Sequence, residues 1–293
     1  MGRIIYSMEN NGETVAISNR VAKDYLKEIG AKGLGIAPTR VTIAQGALGG
    51  GRHRGTRRLP RELQFPILMF GSSEDEVEAK MDKLVRIFYD EFSAPRLVAK
   101  YPNSSKSYSM EFHYSGGADP INGVDEGAYW ARWALVLECP DPYWTAKDAV
   151  SYPLRAANAG RGLIRTGNGG LSRMQLSSSQ AMGTFQTNNP GHVEAFPVWK
   201  LYGPGDSFSA VRLSDGRSFE YEWAIPAGEV ITIDTRSKRV TDSAGENMYE
   251  GLGFAPELFS VPPGQASITA ELTNTTSESL VTMDFLPRRE FLF

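Results

Sequence analysis

Through the first third of the chain, apolar residues fall at alternate positions in short runs divided by turn residues. A period of two predicts strands. Ile4–Tyr6 and Thr14–Ile17 flank the stretch ENNGE, where Asn11-Gly12 supplies the positive φ of a tight hairpin turn. Residues 22–30, AKDYLKEIG, read as one or two helical turns closing at Gly30. APTRVTIAQG returns to strand composition, with Val41 and Ile43 alternating, and GGGRHRGTRRL (residues 49–59) follows as a loop. In ELQFPILMFG, Leu63, Phe65, Ile67 and Met69 share a face. Pro66 lacks a ladder donor, which predicts an edge strand or a bulge. The period then changes to helical over about 73–92. Ser73 stands three residues before Glu76 at capping-box spacing, and Val77, Met81, Leu84, Val85, Phe88 and Phe92 form one buried stripe. PRLVAKY, SYSMEFHYSGG and AYWARWALVLECPDPYW resume the strands, and the near-continuous apolarity of the last predicts cover on both faces.

Past residue 154 the composition shifts. Residues 155–194 are dense in Gly, Ser and Asn and read as a linker running into one or two marginal strands. From residue 195 to 293 short strands recur between turn signals, among them an Asp215-Gly216 hairpin turn, with no helical period. The expected architecture is mainly β: an N-terminal α+β domain (1–154) with one packed helix, then a C-terminal antiparallel sandwich (195–293).

Charge and motifs narrow the function classes. With 31 Lys+Arg against 34 Asp+Glu the net charge is -3, against a dedicated nucleic-acid binder. One cysteine, Cys139, allows no internal disulfide. No secretory h-region and no apolar run of membrane-spanning length occurs. His53, His113 and His192 sit at no metal-ligand spacing, His192-Val193-Glu194 lacks the cysteines of a deaminase, and the glycine run lacks the Lys-Ser/Thr ending of a P-loop. No G-x-S-x-G elbow is present. The Glu74/Glu78 pair reads as a salt-bridged helix face, and Asp141, between two prolines, as a turn former. The expectation is a protein that is not an enzyme, with no cofactor and no metal.

Several segments in order carry a likeness to a known family. ECPDPYW resembles the segment closing the N-terminal domain of siphophage distal tail proteins, and IGAKGLGIAPTRV a loop-to-strand passage early in them. FPVWKLYGPGD, with its P-V-W-x-x-x-G-P, the P-A-G-E-x-x-x-I-D-T of residues 226–235 and the late VTMDFLPRRE resemble their C-terminal domain. The resemblance touches most of the chain. It implies a tail-tube-like N-terminal domain that forms a six-membered ring at the distal end of a phage tail, and a galectin-like sandwich at the ring's periphery. It further implies as partners other copies of the chain, the tail tube protein, the tail-associated or hub protein of the tip, and the tape measure protein. DNA would pass through the lumen unread, so no sequence-specific nucleic acid and no membrane is expected.

Arg52, Arg54, Arg57 and Arg58 are the candidate site: a loop ordered by a neighbouring subunit or the tail tube, for which the acidic SSEDEVEAKMD supplies opposite charge within or between copies. A solvated loop is the plainer reading, and a nucleic-acid arm the least favoured. The alternative function is carbohydrate binding for host-surface adsorption through the sandwich. Trp199 reads as core, while Phe219, Tyr221 and Trp223 share a face that is either core or platform. The galectin sugar-contact pattern does not appear.

Overall fold

The computed structural model describes residues 4–17, 25–46, 49–89, 91, 93–119, 126–155 and 181–292. The chain is mainly β, with one α-helix among the described residues. It divides into two compact units, Met1–Asp148 with Arg288–Phe293, and Ala149–Pro287. The last six residues thus group with the first unit rather than with the sandwich that precedes them.

In the first unit, β1 (Ile5–Asn10) and β2 (Glu13–Ile17) form a hairpin. Its turn residues Asn11 and Gly12 adopt φ 48° and 80°, the left-handed pair a tight hairpin turn requires. The strands β3 (Tyr25–Lys27), β4 (Thr39–Gln45), β5 (Gly51–Arg58) and β6 (Arg61–Phe70) precede helix α1 (Glu74–Phe88). After it come β7 (Arg96–Lys100), β8 (Ser107–Glu111), β9 (His113–Gly116), β10 (Glu126–Gly127), β11 (Trp130–Cys139) and β12 (Trp144–Ala146). One sheet runs β2-β1-β7-β8-β12, with Arg288–Arg289 on its far edge; a second runs β10-β11-β6-β3, with β9 also on β11. Met8, Leu97 and Met110 of the first sheet share a core with Phe65, Leu135 and Leu137 of the second, and Tyr6 meets Phe65 edge-on at 5.6 Å.

Helix α1 closes this core with Val77, Leu84 and Ile87. Ser73 Oγ accepts from the Glu76 amide at 3.3 Å. The Glu76 carboxylate turns to Ser72 instead, accepting from its amide at 2.7 Å and its hydroxyl at 2.6 Å, so the cap is one residue wider than a reciprocal box. At the other end Asn10 Nδ2 donates to Ile87 O (2.9 Å) and Tyr89 O (2.7 Å), satisfying carbonyls the helix cannot. The helix ends at Phe88, earlier than expected. Val85 is exposed, because the buried arc is carried by Ile87; Phe92 lies outside the described residues.

Other expectations are corrected. Tyr25–Lys27 is a strand rather than a helical turn, because it pairs with Ile67–Met69 of β6; residues 22–24 lie outside the described residues. Pro66 sits inside a sheet, not at its edge. Its carbonyl accepts from Glu28 N (3.1 Å), so its nitrogen faces β3, and β3 breaks off there before the chain rejoins at Lys32↔Gln64. β11 is buried on one face only: Ala131, Trp133, Leu135, Leu137 and Cys139 point to the core, while Ala134 and Glu138 are exposed.

The second unit is an antiparallel sandwich of β13 (Val150–Arg155), β14 (Ala181–Asn189), β15 (Val198–Tyr202), β16 (Phe208–Arg212), β17 (Ser218–Tyr221), β18 (Val230–Asp234), β19 (Arg239–Thr241), β20 (Gly264–Leu272) and β21 (Leu280–Phe285). Its sheets are ordered β13-β21-β15-β18-β19 and β14-β20-β16-β17. Trp199 is fully buried at the centre, with Phe185, Phe208, Phe219 and Phe259 around it at 5.4–6.5 Å. Of the expected linker, residues 156–180 lie outside the described residues, while β14 pairs with β20 over its whole length. Val150–Arg155, expected at the end of the first domain, pairs with Leu280–Phe285 and so belongs to the sandwich.

Candidate assembly interface

GGGRHRGTRRL is a strand and not a loop. Gly51–Arg58 pairs with Thr39–Gln45 in a separate two-stranded ribbon, of which nearly every residue on both strands is exposed. The basic run shows no hydrophobic alternation because neither face of β5 meets a core, and that alternation is the signal by which strands are read. The hydrogen-bonded partner β4 supplies the order instead. Eight residues give β5 a length of about 25 Å.

Register assigns the faces. Thr39↔Arg58, Val41↔Thr56 and Ile43↔His53 lie on one, and Arg40↔Arg57, Thr42↔Gly55 and Ala44↔Arg52 on the other. Arg54 is the extra residue of a bulge opposite Thr42/Ile43. The first face is apolar and hydroxylic: Val41 and Ile43 are 52% and 59% exposed, and His53 Nε2 lies 2.8 Å from Thr56 Oγ1. The second is cationic.

Arg58 stands apart from the other three arginines. At the ribbon's root its Nε and Nη2 donate to Glu290 Oε1 at 2.9 and 2.6 Å, and its Nη1 to Thr39 Oγ1. Leu59 N donates to Pro38 O at 2.9 Å. Next to it Arg61, 1% exposed, donates to the carbonyls of Gly33 (2.8 Å), Gly35 (2.7 Å) and Glu290 (2.6 Å). Burial pulls its pKa down, opposed by the charge of Glu290. The root is therefore fixed by the chain's last residues. Arg52, Arg54 and Arg57 have no ion pair among the described residues, and neither does Arg40, which the sequence reading missed because it lies outside the basic run. Its signal was positional: Arg40 falls opposite Arg57 once Thr39–Gln45 pairs with Gly51–Arg58.

Elsewhere the catalytic inventory stays dispersed. Among the described residues no three His, Cys, Asp or Glu side chains are grouped to hold a metal ion, and no helix is long and apolar enough to cross a membrane. Asp141 accepts from the Tyr143 amide at 3.4 Å, as a turn former does, and both its oxygens lie 2.7 Å from Arg288 Nη2. A cavity of about 520 Å³ between the β1–β2 turn and residues 93–96 is lined by polar groups including Asn11, Glu13 and Arg96. In the sandwich Phe219 and Tyr221 are core, and Trp223 alone of that trio reaches the surface.

No family profile matches the sequence, and no curated protein matches it either. Solved structures do match. The Dit protein (gp 19.1) of phage SPP1, described as a paradigm of the hub adsorption apparatus in phages infecting Gram-positive hosts, superimposes with a TM-score of 0.64 at 12% identity, over 96% of this chain and 98% of that one. A chain of the phage P2 baseplate in its activated conformation with Ca gives 0.55 at 13% identity, over 99% and 100%. The same baseplate with Sr gives 0.53 at 12% identity, over 99% and 100%. The resemblance to siphophage distal tail proteins thus holds at the level of the fold, which this chain shares from end to end with SPP1 Dit and with a component of the P2 baseplate.

Proposed function

We propose that this chain is a structural component of a phage tail: a distal tail protein whose first unit forms a six-membered ring between the tail tube and the tip hub, with DNA passing through the lumen. One observation carries the reading: both units, in order, match SPP1 Dit over nearly the whole of each chain. In this reading the chain performs no reaction. Its partners are other copies of itself, the tail tube protein, the hub protein and the tape measure protein, and the second unit is the galectin-like peripheral domain.

The surface of the first unit supports assembly. Val41 and Ile43, neighbours on one face of the ribbon, are both exposed on a single chain. A cyclic ring joins two different patches of each subunit, so a projecting ribbon and a complementary receiving face suit it. The ribbon bearing Arg52, Arg54 and Arg57, with Arg58 at its root, is the interface we assign. Light scattering of the purified chain tests the ring, with an expected mass near six copies of 32.2 kDa. Deleting the gene from the phage is expected to abolish joined tails. Normal tails without it would overturn the reading.

A further inference from the structure

The ribbon poses a problem that a single chain does not solve. A two-stranded ribbon is marginal in water by itself, and this one sets Arg40 directly opposite Arg57 on one face, where like charges repel. Arg52 continues the same face and Arg54 stands on the bulge, so four guanidinium groups face solvent together.

The same unit carries the inverse problem on α1. At 100° per residue, Glu74, Asp75, Glu78 and Asp82 fall within an arc of roughly 100°. All four are exposed and none is ion-paired among the described residues, whereas Glu76 on another arc pairs with Lys80 at 2.7 Å and Arg86 with Glu13 at 2.7 Å. The helix dipole accounts for Glu74 and Asp75 in the first turn. It does not account for Glu78 and Asp82: Glu74/Glu78 and Glu78/Asp82 are each four residues apart, a spacing at which like charges destabilise a helix. Val85, exposed, falls inside the same arc. Four unpaired cations and four unpaired anions, each set costly on its own surface, are complementary.

We infer that the cationic face of the β4–β5 ribbon seats on the acidic arc of α1 in a neighbouring copy of the chain, a contact that rests on the ring reading above. Each subunit then offers a ribbon to one neighbour and a helix to the other. The pairing sets the head-to-tail direction of the contact and weakens with salt, since exposed charges are screened over a Debye length of about 10 Å at about 0.1 M salt.

Two charge-reversed chains test it. One carries Arg40→Glu, Arg52→Glu and Arg57→Glu; the other carries Asp75→Lys, Glu78→Lys and Asp82→Lys. Every altered side chain is exposed, so the thermal transitions are expected to stay near those of the unaltered chain. Each reversed chain alone is expected to assemble with a dissociation constant raised about a hundredfold or more, from like-charge juxtaposition. Mixed in equal amounts they are expected to assemble again, alternating, because each ribbon then meets a helix of opposite sign. Should either variant misfold, Arg57→Cys in one chain and Glu78→Cys in another are expected to form an intermolecular disulfide, for the native Cys139 is buried and does not compete. Normal assembly of either reversed chain alone, or no recovery on mixing, overturns the contact and leaves the ring standing. An unaltered chain that stays monomeric at every concentration overturns both. If the ribbon-reversed chain assembles normally but loses binding to duplex DNA that the unaltered chain retains, the face serves a polynucleotide and the inference fails.

Discussion

Replacing Asp141 by Ala tests whether the chain's end is a working part of the first unit. Arg288 pairs with Asp141 through Nη2, 2.7 Å from each carboxylate oxygen; its side chain is 9% exposed, and its guanidinium lies 4.5 Å over the Tyr143 ring. Removing one partner of a buried ion pair costs about 3–5 kcal/mol. The Asp141 side chain is a quarter exposed, and the Tyr143 ring stays in place to contribute about 1 kcal/mol of cation–π attraction, so about 2–4 kcal/mol is expected here. Domain stability is about 5–15 kcal/mol in total, so that loss is readily measured. Because Thr145↔Arg288 and Trp144↔Arg289 pair this segment with β12, the damage is expected on that side of the first unit.

The assay is urea unfolding with hydrogen exchange read by peptide. In Asp141→Ala, Ser107–Glu111 and Trp144–Ala146 are expected to lose protection, while Val198–Tyr202 and Gly264–Leu272 keep theirs. Arg288→Met, alone and combined with Asp141→Ala, completes a double-mutant cycle with an expected coupling of about 1.5 kcal/mol or more. A loss below about 0.5 kcal/mol, or one that falls equally on the sandwich peptides, refutes the reasoning.

Glu76 is held down to about 2, first by its hydrogen bond to the Lys80 side chain and then by those to Ser72. A depressed carboxyl contributes stability above its ordinary value of 4.5 and loses it as pH falls from there through about 2; an NMR titration of the Glu76 carboxyl carbon with a midpoint near 4.5 would refute the cap geometry. Gly117→Ala is expected to destabilise by about 2–4 kcal/mol and Gly12→Ala by only about 1–2, measured by urea unfolding. Both glycines have φ in the left-handed region, at 85° and 80°, but a Cβ at Gly117 would stand 1.9 Å from Ala134 O, while at Gly12 it meets nothing within 4 Å. The Cys139 thiol, pushed up to about 12 by burial, is expected to resist thiol reagents at pH 8 until the chain unfolds; prompt labelling of the native protein would contradict it. A fragment of residues 149–287 is expected to fold, and one of residues 155–293 to be less stable, because the latter loses the Val150–Leu154 ladder and the Tyr152 ring stacked 6.1 Å from Phe285. Equal melting temperatures for the two would argue against that boundary.

Local periodicity was legible; what depends on distant partners was not. The β1–β2 hairpin, the start of α1 and the strands around Trp199 each carry their signal within a few residues: a positive-φ pair, a capping serine, alternation against a core. Tyr25–Lys27 carries none. Three residues have no period to read, and they are a strand only because Ile67–Met69 offers an edge. β11 misled for a related reason. Trp130, Val136 and the aliphatic part of Arg132 make its outer face apolar in sequence, yet that face is only partly covered in the single chain.

The candidate site shows the same division, and shows what links its parts. The basic run was visible as composition, but its four arginines read alike. Their roles separate only once Glu290 is placed, 232 residues from Arg58 and 229 from Arg61. Glu290 holds Arg58 by its carboxylate and the buried Arg61 by its carbonyl, and Arg61 in turn ties the carbonyls of Gly33 and Gly35 in the approach to β4. Both legs of the ribbon are thus fastened to the end of the chain. A ribbon with no core of its own keeps a direction only if its root is rigid, and the buried donors of Arg61 are costly to leave unmet, which resists movement there. The segment Arg288–Leu292, which reads in sequence as a trailing end of the sandwich, is therefore what fixes the root from which the arginines beyond it project.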